Sequence, residues 1–464
     1  MAKFTLKCVQ CEFCRVIGGM AGIARIRQLA LFALVMVCLA AAPCSAQQPA
    51  EPQRFTLGNG LTVILEENHT ANKVVVETFH RAGFQHEPQG KAHIAHVAEH
   101  MLCYSATAGY GPRQAHELLQ QKGMANAETL SAFVHYDYIL PARDLKLALQ
   151  IAAERMGAVV FADNLLREEV PRVVQEMDFV QNNPQAGLLK FGLIGLSHVL
   201  RFGDAFVPVY GGPATLTAAD IEAFFKERYR PCESVLVVVG DFDPVNARQL
   251  INIYFGSLPR LEPPPKTPVT IAADADAKWD LRSDAIYIVY PSADPDETTR
   301  TALTLFGNYL QQRVWTDPGL METTKGRFCS NQIYPVGDLP FFVFAEAKAG
   351  ASLDAVQARM EQVMNEALAG FNENAFAQAK MGLAYFMRAS VAQGGYAPPN
   401  TPFENVLAQE AINLGVKEIL REGAPPDEFL ARLNALDYAT ANRAVRSAIS
   451  PANEKKVRFL SDKQ

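Results

Sequence analysis

Apolar and polar positions along this chain follow two rhythms, one of period two and one of helical period. The stretch Phe55–Glu66 (FTLGNGLTVILE) reads as two strands broken by Asn59-Gly60, a dipeptide that suits a tight hairpin. Lys73–Ala82, with Val74, Val75 and Val76, is a further strand. Ala92–Ser105 has apolar positions at Ile94, Val97, Ala98, Met101 and Leu102, the spacing of one helix face. Helices are expected at Arg113–Lys122, Leu145–Phe161, Leu165–Gln181, Leu216–Tyr229 (capped by Thr217) and Asp243–Phe255. Ser234–Gly240 (SVLVVVG) is a continuous apolar run, expected as a buried strand.

Leu258–Thr270 (LPRLEPPPKTPVT) is rich in proline and is the best domain boundary. Beyond it a second α/β pattern begins. Ala285–Tyr290 is a strand and Thr298–Gln312 a helix; Gln332–Ala347 contains a hairpin and Leu353–Phe371 is an amphipathic helix. The end, Leu433 to Asp437 and on to Pro451, echoes Leu216 to Asp220 and on to Pro231. That weak repeat suggests two related halves, residues 47–262 and 263–464.

The polar face of the Ala92–Ser105 helix carries the chemistry. His96, Glu99 and His100 form an H-x-x-E-H pattern. Residues four apart share a helix face, so two imidazoles there can hold one Zn²⁺ at about 2.0–2.1 Å. Glu99 flanks the same point, where a carboxylate can serve as general base for an activated water. The alternative is a chance polar cluster on a buried helix. Against it, buried charges usually pair or bind metals. A catalytic zinc site needs a third ligand, and Glu168–Asp178 (EEVPRVVQEMD) offers Glu169 and Glu176, two helical turns apart.

On these residues the chain resembles the M16 (pitrilysin-like, inverzincin) metallopeptidases, in which H-x-x-E-H precedes a helix with two glutamates seven apart. Glu176 lies 76 residues after His100. The resemblance implies that Glu176 is the third ligand and that Glu169 orients a ligand. L-x-N-G-L near Leu57, R-A-G at Arg81 and the Tyr229–Pro244 segment add to it. It implies two related α+β domains, each a mainly antiparallel sheet packed with helices, closing like a clam-shell around a peptide. Asn126-Ala127-Glu128-Thr129 matches an N-A-x-T strand, which the resemblance makes an edge strand that pairs with substrate backbone. Tyr136 falls where members often carry a tyrosine that contacts substrate. Pro171 departs from a plain helix; if the helix starts near Val170, Glu169 sits at its cap.

A larger departure lies in the second half. Members of the family carry an Arg and a Tyr seven apart there, donors to the substrate oxyanion. Anchored on Gly326, this chain has Glu322 and Cys329 at those positions; anchored on Arg313, it has Gly319 and Gly326. Arg327 and Tyr334 have the right separation, but both would lie on one strand. Some bacterial relatives split the two functions between unlike subunits. By that resemblance this chain is the metal-bearing member, a zinc endopeptidase that pairs with a second M16-like subunit, or with its own copy. The rival readings are a non-catalytic peptide-binding or assembly subunit and a homo-oligomeric peptidase using Arg327 and Tyr334. Zn²⁺ suits two His and a carboxylate, though Mn²⁺ or Co²⁺ can occupy such a set.

Composition narrows the picture. The 464 residues are 49% hydrophobic, enough for two cores. A net charge of −6 without a strongly basic run argues against a nucleic-acid partner. All nine histidines lie between His69 and His198, so the second half has none for a metal. Arg25 and Arg27 precede the apolar run Leu29–Ala42 and then Pro43-Cys44-Ser45-Ala46. Residues 1–46 thus read as a leader cleaved near Ala46, starting at Met1 or Met20, with no stable membrane span after its removal. Cys8, Cys11 and Cys14 lie in or before it. Cys103, Cys232 and Cys329 remain, an odd number that suggests no disulfide framework. The periplasm or the exterior is the expected compartment.

Overall fold

The computed structural model describes residues 52–157, 159–181, 187–265, 273–291, 295–329, 340–392, 403–420 and 426–462. The expected leader with its cysteines, Tyr334 and part of the proline-rich linker lie outside the described residues.

The first half contributes β1 (Gln53–Thr56), β2 (Thr62–Glu67), β3 (Lys73–His80), α1 (Ile94–Tyr104), β4 (Ala106–Thr107), α2 (Gln114–Lys122), β5 (Met124–Thr129) and β6 (Val134–Pro141). After these come α3 (Leu145–Gly157), β7 (Val159–Val160), α4 (Asp163–Gln181), α5 (Gly187–Phe202), β8 (Phe206–Val207), α6 (Ala218–Arg228), β9 (Ser234–Gly240) and α7 (Pro244–Phe255). The second half contributes β10 (Ala275–Trp279), β11 (Ala285–Tyr290), α8 (Glu297–Thr316), α9 (Pro318–Thr323), β12 (Thr324–Cys329), β13 (Phe341–Ala347) and α10 (Leu353–Gly370). It ends with α11 (Glu373–Ala392), α12 (Phe403–Leu420), α13 (Pro426–Ala435), α14 (Tyr438–Ala448) and β14 (Lys455–Ser461).

Apart from β4 and β7, which pair with each other, the strands form two six-stranded sheets, ordered β1-β2-β9-β3-β6-β5 and β8-β10-β14-β11-β13-β12. They correspond strand by strand. In each, the second and third strands are parallel and the third to sixth antiparallel. Only the first edge differs: β1 runs antiparallel to β2, whereas β8 runs parallel to β10. The repeat of helix, proline and strand is explained by this duplication. α6, Pro231 and β9 occupy the place that α14, Pro451 and β14 occupy in the other sheet.

The halves exchange cover. One face of the first sheet packs on α1, α3, α6 and α7. Its other face, with Val75, Phe79, Ile139 and Val237, is covered by Leu407, Ala411 and Ile419 of α12. Each such fully buried Leu or Ile contributes about 2 kcal/mol. Reciprocally, the inner face of the second sheet, with Trp279, Tyr287, Phe344 and Phe459, shares its core with Ile194, Leu196, Val199 and Leu200 of α5.

Local chemistry sets the boundaries. Gly60 turns at φ +95°, and β1 and β2 pair from Gln53 with Leu65 to Thr56 with Thr62. Thr217 and Asp220 form a capping box at α6, and Asp243 caps α7. Two expectations are corrected. The helix expected to reach Phe161 ends at Gly157, and residues 159–160 pair with β4 instead. Of the hairpin expected within Gln332–Ala347, the first part lies outside the described residues; β13 pairs with β12 and β11. α4 runs unbroken through Pro171 from Asp163, so Glu169 lies inside the helix rather than at its cap. The ring removes one hydrogen bond to the carbonyl a turn earlier, at a cost near 3 kcal/mol, and tertiary packing of Leu165, Leu166, Val173 and Met177 offsets it. Among the described residues Cys103, Cys232 and Cys329 are unbridged, and no helix is long and apolar enough to cross a membrane.

Candidate metal centre

α1 is the shortest path from sequence to site. Every residue from Ile94 to Cys103 is buried. Its apolar side joins the core, and it lies against α4, α6 and β5. The remaining side presents His96, Glu99 and His100 toward α4, which brings Glu176. The Nε2 atoms of His96 and His100 each lie 3.4 Å from the same carboxylate oxygen, Glu176 Oε2. One donor atom from each of the three residues lies within 4.8 Å of the others. A tetrahedral zinc with bonds near 2.1 Å separates its ligand atoms by about 3.4 Å, so the donor set fits that ion. The two imidazoles are buried, whereas the Glu176 side chain is 56% exposed, which leaves the centre open on one side.

Surrounding charges hold these side chains in place. The Nδ1 of His100 lies 3.3 Å from Oε2 of Glu169, whose side chain is fully buried. Arg113 and Arg172 each donate to Oε1 of Glu169 at 2.6 Å. Glu169 therefore holds the imidazole and is itself held, the arrangement that fixes a ligand's tautomer. Glu168 is exposed and pairs only with Arg113. Hydrogen bonds from His100 and then His96 hold the Glu176 carboxyl well below its usual range. Burial works against charge on His100, but Glu169 and Glu176 outweigh it and push the group up to about 9.

Glu99 has a partner that its sequence does not announce. Thr129 Oγ1, fully buried on β5, donates to Glu99 Oε2 at 2.5 Å. The strand that carries Asn126, Ala127 and Thr129 is indeed the edge of its sheet. Asn126 and Glu128 are exposed along it, and Ala127 is half-buried. Tyr136 is placed differently from the expectation. It is buried in the core, 1% exposed, and its hydroxyl lies 3.0 Å from that of Tyr229. On β6 it pairs with Ala127 of the edge strand, so it takes the same sheet face as Thr129 and packs there in the core with α1. Arg327 is also placed elsewhere. Its Nε and Nη2 donate to the carbonyls of Val314 and Trp315 at 2.9 and 2.6 Å, closing the C-terminal end of α8. Cys103, near the end of α1, has its thiol pushed up to about 12 by burial, which disfavours the reactive thiolate.

The start of α1 is unusual. His93 sits just before it at φ +67°, a left-handed conformation that costs a side-chain-bearing residue on the order of 1 kcal/mol. Glu87 stabilises it: Oε2 accepts from the His93 N–H and Oε1 from the Ala95 N–H, both at 3.1 Å. The sequence gives no spacing rule for this remote cap, nor for Arg113 on Glu169. The i,i+3 relation of Arg172 to Glu169 was the one readable signal.

Comparison with known proteins places the fold in a family. The model of the family "Insulinase (Peptidase family M16)" matches residues 62–191, and "Peptidase M16 inactive domain" matches residues 215–383. The zinc protease PqqE of Helicobacter pylori is 26% identical over 246 residues, covering 51% of this chain and 54% of that protein. The probable zinc protease PqqL of Haemophilus influenzae is 26% identical over 239 residues, covering 47% and 24%. The chain thus spans about half the length of the first relative and a quarter of the second. Among solved structures, a protease from Helicobacter pylori superposes with a TM-score of 0.65 at 18% identity, covering 88% of this chain and 99% of that one. The first half of the periplasmic protease PqqL from Escherichia coli gives 0.61 at 16% identity, covering 90% and 93%. At those identities the structures establish the fold, two M16-like α+β domains, and the family models span well over half the chain. With H-x-x-E-H and Glu176 brought together in that fold, the chain belongs to peptidase family M16.

Proposed function

We propose that the chain is the metal-bearing subunit of a zinc endopeptidase, one ion per chain, acting on peptides in the periplasm or outside the cell. The observation that carries this reading is the convergence of His96, His100 and Glu176 with Glu99 on the same helix. His96, His100 and Glu176 would hold the zinc, which would supply Lewis acidity to the scissile carbonyl and to a water. Glu99 takes the proton of that water and returns it to the leaving amine. Thr129 keeps the Glu99 carboxylate turned to one side, and Glu169 keeps His100 from rotating. A substrate lies extended along β5, whose outward N–H and C=O groups are those of a sheet edge. The two halves, meeting near residue 262, enclose it.

The donors for the oxyanion come from a second M16-like subunit. Support comes from Arg327, whose donors are already committed to the end of α8. Oxyanion donors contribute about 10²–10³ in rate each. The test uses the purified chain. Bound metal is measured, then cleavage of quenched-fluorescent peptides, alone and mixed with a candidate partner subunit. Zinc at one per chain with cleavage only in the mixture is the expected result. Full activity alone would sink the split-site reading, and absence of metal would leave a peptide-binding subunit.

A further inference from the structure

Glu87 does more than cap a helix. Its carboxylate is fully buried, and Oε2 also lies 3.3 Å from Nε2 of His198 on α5. The other ring nitrogen of His198 lies 3.2 Å from Asp204, and Gln89 donates back to Asp204 at 2.8 Å. Glu87 and Gln89 belong to one loop, so this loop grips the end of α5 at two points. The loop is itself pinned: the Phe84 and Gln85 N–H groups donate to the Leu130 and Ser131 carbonyls at 3.1 and 2.9 Å. A Cβ on Gly83 would lie 2.4 Å from the Leu130 carbonyl oxygen, so only glycine allows that approach.

The neighbouring side of α5 rests on the second sheet. A Cβ on Gly192 would fall 2.0 Å from the Tyr287 hydroxyl, and one on Gly195 3.1 Å from the Phe459 ring. One helix therefore touches the sheet of the second half and, one turn later through His198, the residue that holds the start of α1. We infer that Glu87 is a positioning residue for the metal helix, and that His198 and Asp204 make its hold depend on how α5 is seated on the second sheet. The seating of the second half thereby reaches His96 and His100. This rests on the zinc reading above for its functional consequence, but not for its mechanics.

The test uses the full chain and two readouts. Hydrogen exchange of the residue 93–97 amides is followed in metal-free protein, and zinc release to a chelator in loaded protein. Glu87→Gln replaces an acceptor with an N–H₂ that faces a backbone N–H, and is expected to speed exchange at 93–97 and weaken zinc about tenfold, as outer-shell changes do. Exchange in the second sheet stays unchanged, which a general loss of stability would not allow. Gly195→Ala is expected to speed zinc release in the wild-type background and to lose that effect when His198→Gln is also present, a coupling that a double-mutant cycle reads directly. Should Glu87→Gln fail to fold, His198→Gln and Asp204→Asn carry the exchange measurement. Unchanged exchange at 93–97 in these variants, or an effect of Gly195→Ala that persists without His198, overturns the inference. A wild-type chain that binds no zinc, with the exchange changes still present in the variants, would instead overturn the zinc reading and leave the coupling standing.

Discussion

The two sheets share one strand plan and differ in what their polar side chains are aimed at. In the first half, the helix after the fourth-position strand β3 presents His96, Glu99 and His100, and the edge strand β5 sends Thr129 to Glu99. In the second half, α8 follows β11 in the same way. Its Thr301, Thr304 and Asn308 side chains donate to carbonyls of their own helix. The edge strand β12 sends Arg327 to the end of that helix. A shared backbone plan therefore fixes where a site can be, and a handful of side chains decides whether one exists. Among the described residues, the only group able to hold a metal is the one in the first half.

Four substitutions sharpen the comparison. Glu99→Gln removes the proton acceptor and keeps the shape. Peptide turnover should fall by roughly 10²–10⁴ while metal analysis still finds one zinc. Loss of metal along with turnover would make Glu99 a structural group like those of α8. Thr129→Val removes the hydroxyl that orients Glu99 but keeps the size. A fall of about tenfold in kcat with unchanged KM is expected, equal to about 1.4 kcal/mol. A KM effect would place Thr129 on the substrate instead.

In the second half, Asp317→Asn breaks a carboxylate that caps α9 and pairs with Arg359. Chemical denaturation should show a loss of about 2 kcal/mol, with zinc content and turnover untouched. Its pH signature follows from the sign of the shift. The Arg359 bond lowers the folded value of Asp317 below 3.8. The contribution is present above that ordinary value and is lost as pH falls through the lowered folded one. The variant's deficit should shrink in acid, measured by denaturation at pH 6 and pH 3. Tyr136→Phe is the mildest. Losing the bond to Tyr229 costs about 1 kcal/mol of stability, and KM should not move. A raised KM would return Tyr136 to the substrate surface.

Much of the first half was legible because local rules are strong there. Asn59-Gly60 fixed the hairpin, Thr217 and Asp243 fixed helix starts, and the four-residue spacing of His96 and His100 put both on one face. The position of Glu176 came through family resemblance, since nothing local ties residue 176 to residue 100. The surroundings of Tyr136 and Arg327 were not legible for a common reason. A residue's place on a strand says which face it takes, but not whether that face is core, edge or a neighbouring helix end. The helix expected over Leu165–Gln181 runs through Pro171 because a cost near 3 kcal/mol is smaller than what four buried apolar side chains of α4 return.

By itself, then, the sequence determined the periodic elements, their caps and turns, and the spacing of the histidines, all of which depend on residues a few positions apart. The tertiary structure alone decided that α12 covers the first sheet and α5 the second, that Thr129 meets Glu99, and that Glu87 and His198 join α5 to the metal helix. Those contacts join residues 30 to more than 300 positions apart, such as Arg54 with Glu418. Over such separations no helix or strand period carries information, and only the burial of one apolar face on another selects the partner.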